Sequence, residues 1–505
     1  MLEGYVKKIL SAKVYGLASE TPLLIAPLLS KRLETKVLLK REDLQSIFSF
    51  KLRGAFNKIS HLSAKERNRG VITASAGNHA QGVSVAASAL NIEATVVMGT
   101  NTPTIKIEAV KNHGAKVILH GDSYDDAAEY ARLLGQQEGY VYIHPYDDPL
   151  VIAGQGTVGV EIASQHPSDI DAIFVPVGGG GLIAGIAAYF KYLRPKTKII
   201  GVEAEGSACL FEAKRRGKRV KLPRETLDLF ADGVSVSQVG KEPFKIAKDY
   251  VDTVVTVSTD EICAAIKDVF EDTRSIAEPA GALSIAGMKK YLLGSRREYE
   301  SVVGIVSGAN VNFDRLRHIS ERAEIGEERE GIFAATIKEG KGSFLGFCRD
   351  LGKRSITEFN YRKTGDQFAN VYVGLEIFSK ENRNLLLKRL SGRGYQVLDM
   401  TDNETAKVHI RHMVGGPNRT SESELLFRFE FPERPGALLE FLSVVGARWN
   451  ISLFHYRNHG AAWGRVLVGF NTDKKERNEL FHYLEKIGYR FWEEDSNPAY
   501  ELFLS

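Results

Sequence analysis

From residue 70 onward the chain alternates short apolar strands with helical runs, and no other feature narrows its fold as much. Gly70-Val71-Ile72-Thr73 reads as a strand, 78–90 as a helix and 94–98 as a strand. A helix over 104–113, the strand Lys116-Val117-Ile118-Leu119 and a helix over 124–134 follow. Strands that are apolar on every residue, separated by helices of this length, require a mostly parallel sheet covered on both faces. The alternation resumes at 172–177, 198–203 and 301–306, which predicts an α/β fold of two lobes sharing a cleft.

Ahead of this region, Val6, Ile9, Leu10 and Val14 stand at helical spacing and predict an amphipathic helix over residues 1–20, and 36–42 reads as a strand. The first domain is expected over 1–320, with a smaller lobe of about 50–150 inserted in the larger. Arg322-Ala323-Glu324-Ile325-Gly326-Glu327-Glu328-Arg329-Glu330 is dense in charge and predicts an exposed helix or linker over 321–330. Beyond it the chain repeats itself. The runs 332–337, 342–347 and 358–362 recur as 425–430, 436–441 and 453–457, with offsets of 436 − 342 = 94 at the glycine and 456 − 361 = 95 at the tyrosine. A near-constant offset implies a duplicated module, expected over 331–405 and 424–505. Each copy reads βαββαβ, the order of a ferredoxin-like sandwich, and the two are expected back to back as a ligand or subunit platform.

A length of 505 residues exceeds one ordinary domain, and 43% hydrophobic with 26% charged residues is globular composition. The net charge of +4 is scattered, which argues for a solvated surface and against a nucleic-acid partner. Cys209, Cys263 and Cys348 are spaced as neither a disulfide framework nor a metal knuckle, so free thiols in a reducing compartment are expected. No apolar run is long enough to span a bilayer, and Met1-Leu2-Glu3-Gly4-Tyr5-Val6-Lys7-Lys8 lacks the core of a signal peptide; a cytoplasmic protein with no membrane partner is expected.

Four stretches can carry chemistry. Lys51 stands among Ile47, Phe48, Phe50 and Leu52, just before Gly54-Ala55-Phe56 opens a helix; burial lowers a lysine pKa, as a Schiff-base nucleophile needs, although most lysines are surface charges. Ser75-Ala76-Gly77-Asn78-His79 joins a strand to a helix, where backbone N–H groups and the Ser75 and Asn78 side chains can hold an anion or merely cap the helix. His79 reads as a structural hydrogen-bonding residue more readily than as a general base. Gly178-Gly179-Gly180-Gly181-Leu182 opens a helix with successive backbone donors, a phosphate cradle; Gly179-x-Gly181-x-x-Ala184 with Glu203 also fits a dinucleotide fingerprint. Ser307-Gly308-Ala309-Asn310 follows an apolar strand, at the sheet end where open α/β folds bind ligands.

Together and in this order, Ser49-Phe50-Lys51-Leu52-Arg53-Gly54-Ala55, Ser75 to His79, Gly178 to Leu182 and Ser307 to Asn310 resemble the fold-type II pyridoxal-phosphate enzymes, and among them the threonine dehydratases (threonine ammonia-lyases). The resemblance implies that Lys51, beside Phe50, forms the Schiff base with pyridoxal 5'-phosphate and takes the Cα proton. It implies Asn78 at the cofactor 3-hydroxyl, Gly178, Gly179, Gly180, Gly181 and Leu182 at the phosphate, and Ser307 at the pyridine nitrogen. The loop of Ser75, Ala76, Gly77, Asn78 and His79 is implied to bind the substrate carboxylate. Related serine racemases carry a second serine where this chain has Ala76, so dehydration without racemisation is expected. The implied reaction takes L-threonine, and also L-serine, with threonine giving 2-oxobutanoate and ammonia, the first committed step of isoleucine biosynthesis.

Residues 331–505 resemble that family's ACT-like regulatory pair, which implies isoleucine as inhibitor, valine opposing it, and a homotetramer. Tyr361, Arg362, Tyr456 and Arg457, at matching positions, are candidate effector residues, though exposed strand arginines are commoner than carboxylate sites. A nicotinamide oxidoreductase would use the glycine fingerprint but leave Lys51 and Ser307 unexplained. A β-replacing synthase would not need the duplicated modules.

Overall fold

The computed structural model describes the chain except for residues 122, 224–225, 296–297, 364–366, 409, 414–423, 433–436, 446–447, 458–462, 473–475 and 495–505. Two compact units result, Met1–Ala323 and Glu324–Ser505.

Within the first unit, a six-stranded sheet runs in the order Leu23–Ile25, Lys36–Arg41, Ser301–Val306, Ala172–Pro176, Lys198–Ala204, Thr253–Val257. Only the edge strand Leu23–Ile25 is antiparallel. The strands Ala172–Pro176 and Ser301–Val306 are buried at every position, as strands covered on both faces must be. Helices Pro149–Gln165 and Gly181–Leu193 supply the apolar layer on one face, and Thr259–Thr273 and Pro279–Leu293 on the other. A second sheet of four parallel strands, ordered Lys116–Leu119, Ala94–Met98, Val71–Ala74, Val141–Tyr142, forms the smaller lobe.

This topology already gathers the candidate loops. Ala172–Pro176 and Ser301–Val306 are parallel neighbours, so the glycine run after one and Ser307 after the other emerge side by side at the carboxyl end of the sheet. That is where ligands bind in open α/β sheets.

Two expectations need correction. The N-terminal helix spans Leu2–Leu10, not twenty residues, and the chain continues as a short turn at Val14–Gly16. Beyond Ser11 the backbone and side chains are drawn into long-range hydrogen bonds, from the Lys13 N–H to Asn57 Oδ1 at 2.8 Å and from Tyr15 Oη to Glu161 at 2.9 Å, so tertiary contacts override the helical spacing. Nor is the charge-dense stretch before the repeats an exposed linker. The helix Arg315–Gly326 runs into it, Arg322 is buried against Asp260 at 2.6 Å, and a strand begins at Glu330, itself buried.

The second unit contains both modules: Glu330–Lys338, Ser343–Leu351, Ile356–Arg362, Phe368–Glu376, Lys380–Gly392 and Gln396–Asp399, then Glu424–Pro432, Ala437–Val445, Asn450–Arg457, Trp463–Asn471, Arg477–Ile487 and Phe491–Glu493. Each is βαββαβ. They join edge to edge rather than back to back: Ile356–Arg362 pairs antiparallel with Asn450–Arg457, which makes one eight-stranded sheet. Asn360 pairs with His455 in this register, and 455 − 360 = 95 is the repeat offset, so the duplicated strands meet about a pseudo-two-fold axis. Phe333, Val373, Phe359, Phe454 and Val468 lie on one face of that sheet, in a core shared by both modules.

Candidate active site

Lys51 is the first residue of the helix Lys51–Ser60, and its loop is stitched to the end of Ser301–Val306. Ser49 bridges Gly308, the Phe50 N–H donates to the Ser307 carbonyl at 3.3 Å, and the Ala309 N–H donates to the Phe48 carbonyl at 2.9 Å. Phe48 has φ +55, a left-handed conformation unusual for a phenylalanine, which these bonds hold in place. The helix lies close to Pro149–Gln165 because a Cβ on Gly154 would fall 2.7 Å from both the Arg53 carbonyl and the Gly54 Cα. A larger residue there would lift Lys51 away.

The Lys51 amine opens into a cavity of about 920 Å³ whose lining includes Gly178 to Gly181, Ser75, Asn78, Ser307 and Glu278. Its Nζ donates to the Pro145 carbonyl at 3.4 Å and lies 5.3 Å from the centre of the Phe50 ring. Burial lowers its pKa to about 8, with the negative charge of Glu278 pulling the other way. An amine so depressed has a sizeable neutral, nucleophilic fraction at physiological pH.

Gly178 to Gly181 pass tightly beneath Tyr146 and Val234. A Cβ on Gly179 would fall 2.1 Å from the Tyr146 ring, one on Gly178 would fall 2.9 Å from the Val234 Cα, and Gly180 has φ +90. The loop therefore excludes side chains and presents its own N–H groups at the start of Gly181–Leu193, which suits a phosphate. Leu182 follows in that first turn and lines the cavity. Ser307 is buried, with Oγ donating to the Ala280 carbonyl at 3.3 Å. Its neutral hydroxyl fits a ring nitrogen without imposing a charge. An amine, an anion cradle and a neutral hydroxyl in one cavity match the aldehyde, phosphate and ring nitrogen of pyridoxal phosphate.

The Ser75 loop is more inward-looking than its composition implies. Ser75 Oγ accepts from the Gly77 N–H at 3.2 Å, and Ala76 packs on the core of the small lobe. Asn78 begins the helix Asn78–Ala89 and faces the cavity. His79 Nε2 lies 3.0 Å from the Ile143 carbonyl, and burial followed by the Lys51 charge lowers its pKa to about 3, so it stays neutral and structural. Glu203 serves no ribose. It is buried, accepts the Leu210 and Phe211 N–H groups at 2.8 Å each and thereby caps Cys209–Arg216; burial pushes its carboxyl up to about 8. Among the described residues no group of three His, Cys, Asp or Glu side chains is placed to hold a metal ion, and no helix is long and apolar enough to cross a membrane.

Two participants are invisible in local sequence, and so are the partners of a third. Glu278 lines the cavity and donates nothing to a recognisable motif: it stands as N-cap before Pro279, an ordinary helix start. Tyr146 roofs the glycine loop from a stretch with no signature. Arg53 carries the floor: fully buried, it contacts Glu42 at 2.7 Å and Glu161 at 2.5 Å, while Lys40 donates to Glu161 at 2.6 Å. Its proximity to Lys51 was the available signal, but only the fold brings Glu42 and Glu161 to it.

Of the effector candidates, Tyr361 is buried and donates to Glu339 at 2.8 Å, and Tyr456 is buried in the shared core. Arg362 is buried in an ion pair with Glu424 at 2.5 Å, so its charge is already met. The Arg457 side chain lies outside the described residues, as do Gly436 of the second repeat and the end of the second module.

The fold and the cavity define a pyridoxal-phosphate-dependent enzyme, and residues 14–308 match the family model described as pyridoxal-phosphate dependent enzyme. Residues 321–410 and 416–504 each match the C-terminal regulatory domain of threonine dehydratase. The chain belongs to the threonine dehydratase family. It is 51% identical over 504 residues to the biosynthetic L-threonine dehydratase of Burkholderia multivorans, covering 99% of both chains, and 49% identical over 502 residues to that of Escherichia coli, covering 99% of this chain and 97% of the relative. Among solved structures, the processed form of threonine deaminase isoform 2 from Solanum lycopersicum aligns with a TM-score of 0.63 at 49% identity, over 64% of this chain and 88% of that one. The serine racemase of Dictyostelium discoideum aligns at 0.57 and 32% identity, over 61% and 99%.

Proposed function

We propose that the protein converts L-threonine to 2-oxobutanoate and ammonia with pyridoxal phosphate bound at Lys51, and that the duplicated unit makes this step responsive to isoleucine. The observation that carries the reading is the depressed Lys51 amine in one cavity with a side-chain-free helix start and the Ser307 hydroxyl. Gly178 to Gly181 and the Leu182 N–H would hold the phosphate, Ser307 would meet the ring nitrogen, and Asn78 would face the 3-hydroxyl. The backbone and hydroxyl donors of Ser75 to His79 receive the substrate carboxylate.

The bound cofactor supplies an electron sink for the pair left at Cα. Lys51 Nζ, once free, takes the Cα proton, acting as the base. The β-hydroxyl leaves as water after gaining a proton, and a second water hydrolyses the resulting imine, so threonine becomes 2-oxobutanoate and ammonia without net change in water. The neutral Ser307 hydroxyl would not hold a ring nitrogen protonated, which would disfavour transamination against elimination. L-serine reacts in the same seat, and Ala76 provides no acid on the opposite face for racemisation.

Isoleucine inhibition, opposition by valine, a homotetramer and a cytoplasmic setting complete the proposal, supported by the match to the threonine dehydratase regulatory domain and by three buried cysteines that form no disulfide. The domain limits of 1–320, 331–405 and 424–505 are the working divisions. Incubation with L-threonine tests the reading: an absorbance band abolished by borohydride, and 2-oxobutanoate formation suppressed by isoleucine, are expected. A protein that stays colourless with added pyridoxal phosphate overturns it. Full isoleucine inhibition in a chain ending near residue 325 overturns the regulatory assignment.

A further inference from the structure

Asn310 belongs to a motif whose serine has a use and whose asparagine so far has none. In the structure it closes a ring of hydrogen bonds across the two lobes. Asn78 Nδ2, on the small lobe, donates to Glu278 Oε1 at 2.6 Å; Asn310 Nδ2, on the large lobe, donates to Asn78 Oδ1 at 2.7 Å; and the Asn310 N–H donates to Glu278 Oε2 at 3.1 Å. Each of the three touches the other two.

The ring leaves one arrangement of the amides. Asn310 Nδ2 also donates to the Ile47 carbonyl at 2.8 Å, which can only accept, so Nδ2 and not Oδ1 must stand there. Its second hydrogen then reaches Asn78 Oδ1, which turns Asn78 Nδ2 toward the Glu278 carboxylate. One hydrogen on Asn78 Nδ2 remains for a ligand oxygen in the cavity. Glu278 is itself set by the backbone: its N–H donates to the Gly308 carbonyl at 3.1 Å, and a Cβ on Gly308 would fall 2.5 Å from Oε1. The spacing Ser307-Gly308-x-Asn310 thus places a ring-facing hydroxyl, room for the carboxylate and the ring's third member on one turn.

We infer that Glu278 and Asn310 are positioning residues that orient the Asn78 amide from the opposite lobe, so that its remaining N–H is aimed at the cofactor's 3-hydroxyl. The inference rests on the placement of Asn78 beside that hydroxyl. Glu278 and Asn310 act through Asn78 and not on the reacting atoms. Burial and then the charge of Asp232 push the Glu278 carboxyl up to about 7, and the Asn78 amide, Lys106 and the Asn310 N–H oppose this.

A double-mutant cycle on the full chain tests it, with pyridoxal phosphate affinity measured by equilibrium dialysis and the visible spectrum titrated with pH. Glu278→Gln keeps size but replaces one acceptor oxygen by an NH2, so a donor meets a donor at either Asn78 or Asn310. Asn78→Ala and Glu278→Gln are each expected to weaken binding about tenfold and to shift the pH midpoint of the spectrum. In the Asn78→Ala background, Glu278→Gln is expected to add less than about twofold. Asn310→Ala, which spares the carboxylate, is expected to follow the same pattern. Additive losses approaching about a hundredfold overturn the inference and leave Asn78 at the cofactor. An Asn78→Ala protein with unchanged affinity and spectrum overturns the placement of Asn78 itself, and the inference with it. A fall in thermal stability with the spectral midpoint unmoved marks Glu278 as merely structural and also overturns it.

Discussion

Lys51 and Arg53 are two residues apart on one helix, both cationic, and they occupy opposite electrostatic settings. Arg53 points into the floor, where Glu42 and Glu161 meet its guanidinium and Lys40 balances the second carboxylate. Although burial alone would push the Glu42 carboxyl up, Arg53 holds it below its ordinary value. Lys51 points into the cavity and finds a carbonyl at 3.4 Å and an aromatic ring. Its nearest influential carboxylate, Glu278, is engaged by Asn78 and the Asn310 N–H. A buried cation given full partners stays charged and structural, whereas one denied them gives up its proton more readily. The helix is held by the first so that it can present the second.

The largest effect that could break this contrast is on turnover. Lys51→Ala is expected to lower kcat by at least about a thousandfold, the loss of both anchor and base, while leaving the apoprotein no less stable to urea at neutral pH. Arg53→Met should do the reverse in kind. Stripping a buried pair of its cation is expected to cost about 3–5 kcal/mol of unfolding free energy, read from the same urea curves. If Lys51→Ala destabilised as much as Arg53→Met, the division into floor and reagent would fail.

Gly179→Ala sharpens the cavity side. Its Cβ would collide with Tyr146 2.1 Å away, and displacement of the loop is expected to weaken pyridoxal phosphate binding roughly tenfold to a hundredfold, measured by dialysis. Unchanged affinity would remove the glycine loop from the phosphate.

The smallest effect is on pH dependence. With a folded pKa of about 8 against an ordinary 10.5, Lys51 binds fewer protons folded than unfolded between those values. Stability therefore rises with pH across that window, and the apoprotein should gain on Lys51→Ala as pH climbs from about 8. Cofactor uptake, which needs the neutral amine, should climb with pH and level off above about 8. A midpoint near 10 would mean that burial does not perturb Lys51.

Motifs placed by the elements directly flanking them were readable along the chain. Gly178 to Gly181 needs only a strand before it and a helix after it, and Ser307 needs only to end a buried strand. The reading of His79 as structural followed from the lack of a partner nearby in sequence. Glu278 could not be read this way, because a glutamate before a proline is an ordinary helix start and its partners Asn78 and Asn310 lie 200 and 32 positions away. Arg362 misled in the other direction: its match to Arg457 singled it out for a carboxylate ligand, and Glu424 of the neighbouring module already supplies one. The two modules were recognisable from their offset, but their union into one sheet depends on strand edges, which a repeat leaves undetermined.

The sequence by itself determined the elements and the candidate site: alternating strands and helices, a duplicated module, a lysine in apolar company, a loop without side chains. These follow from local rules of periodicity, steric freedom and backbone donors, which act over a few residues. Only the tertiary structure decided which charges were neutralised and which were left exposed to chemistry. Burial and pairing depend on groups brought together from distant positions, and a change of pKa or a fixed amide belongs to that assembly rather than to any residue in it.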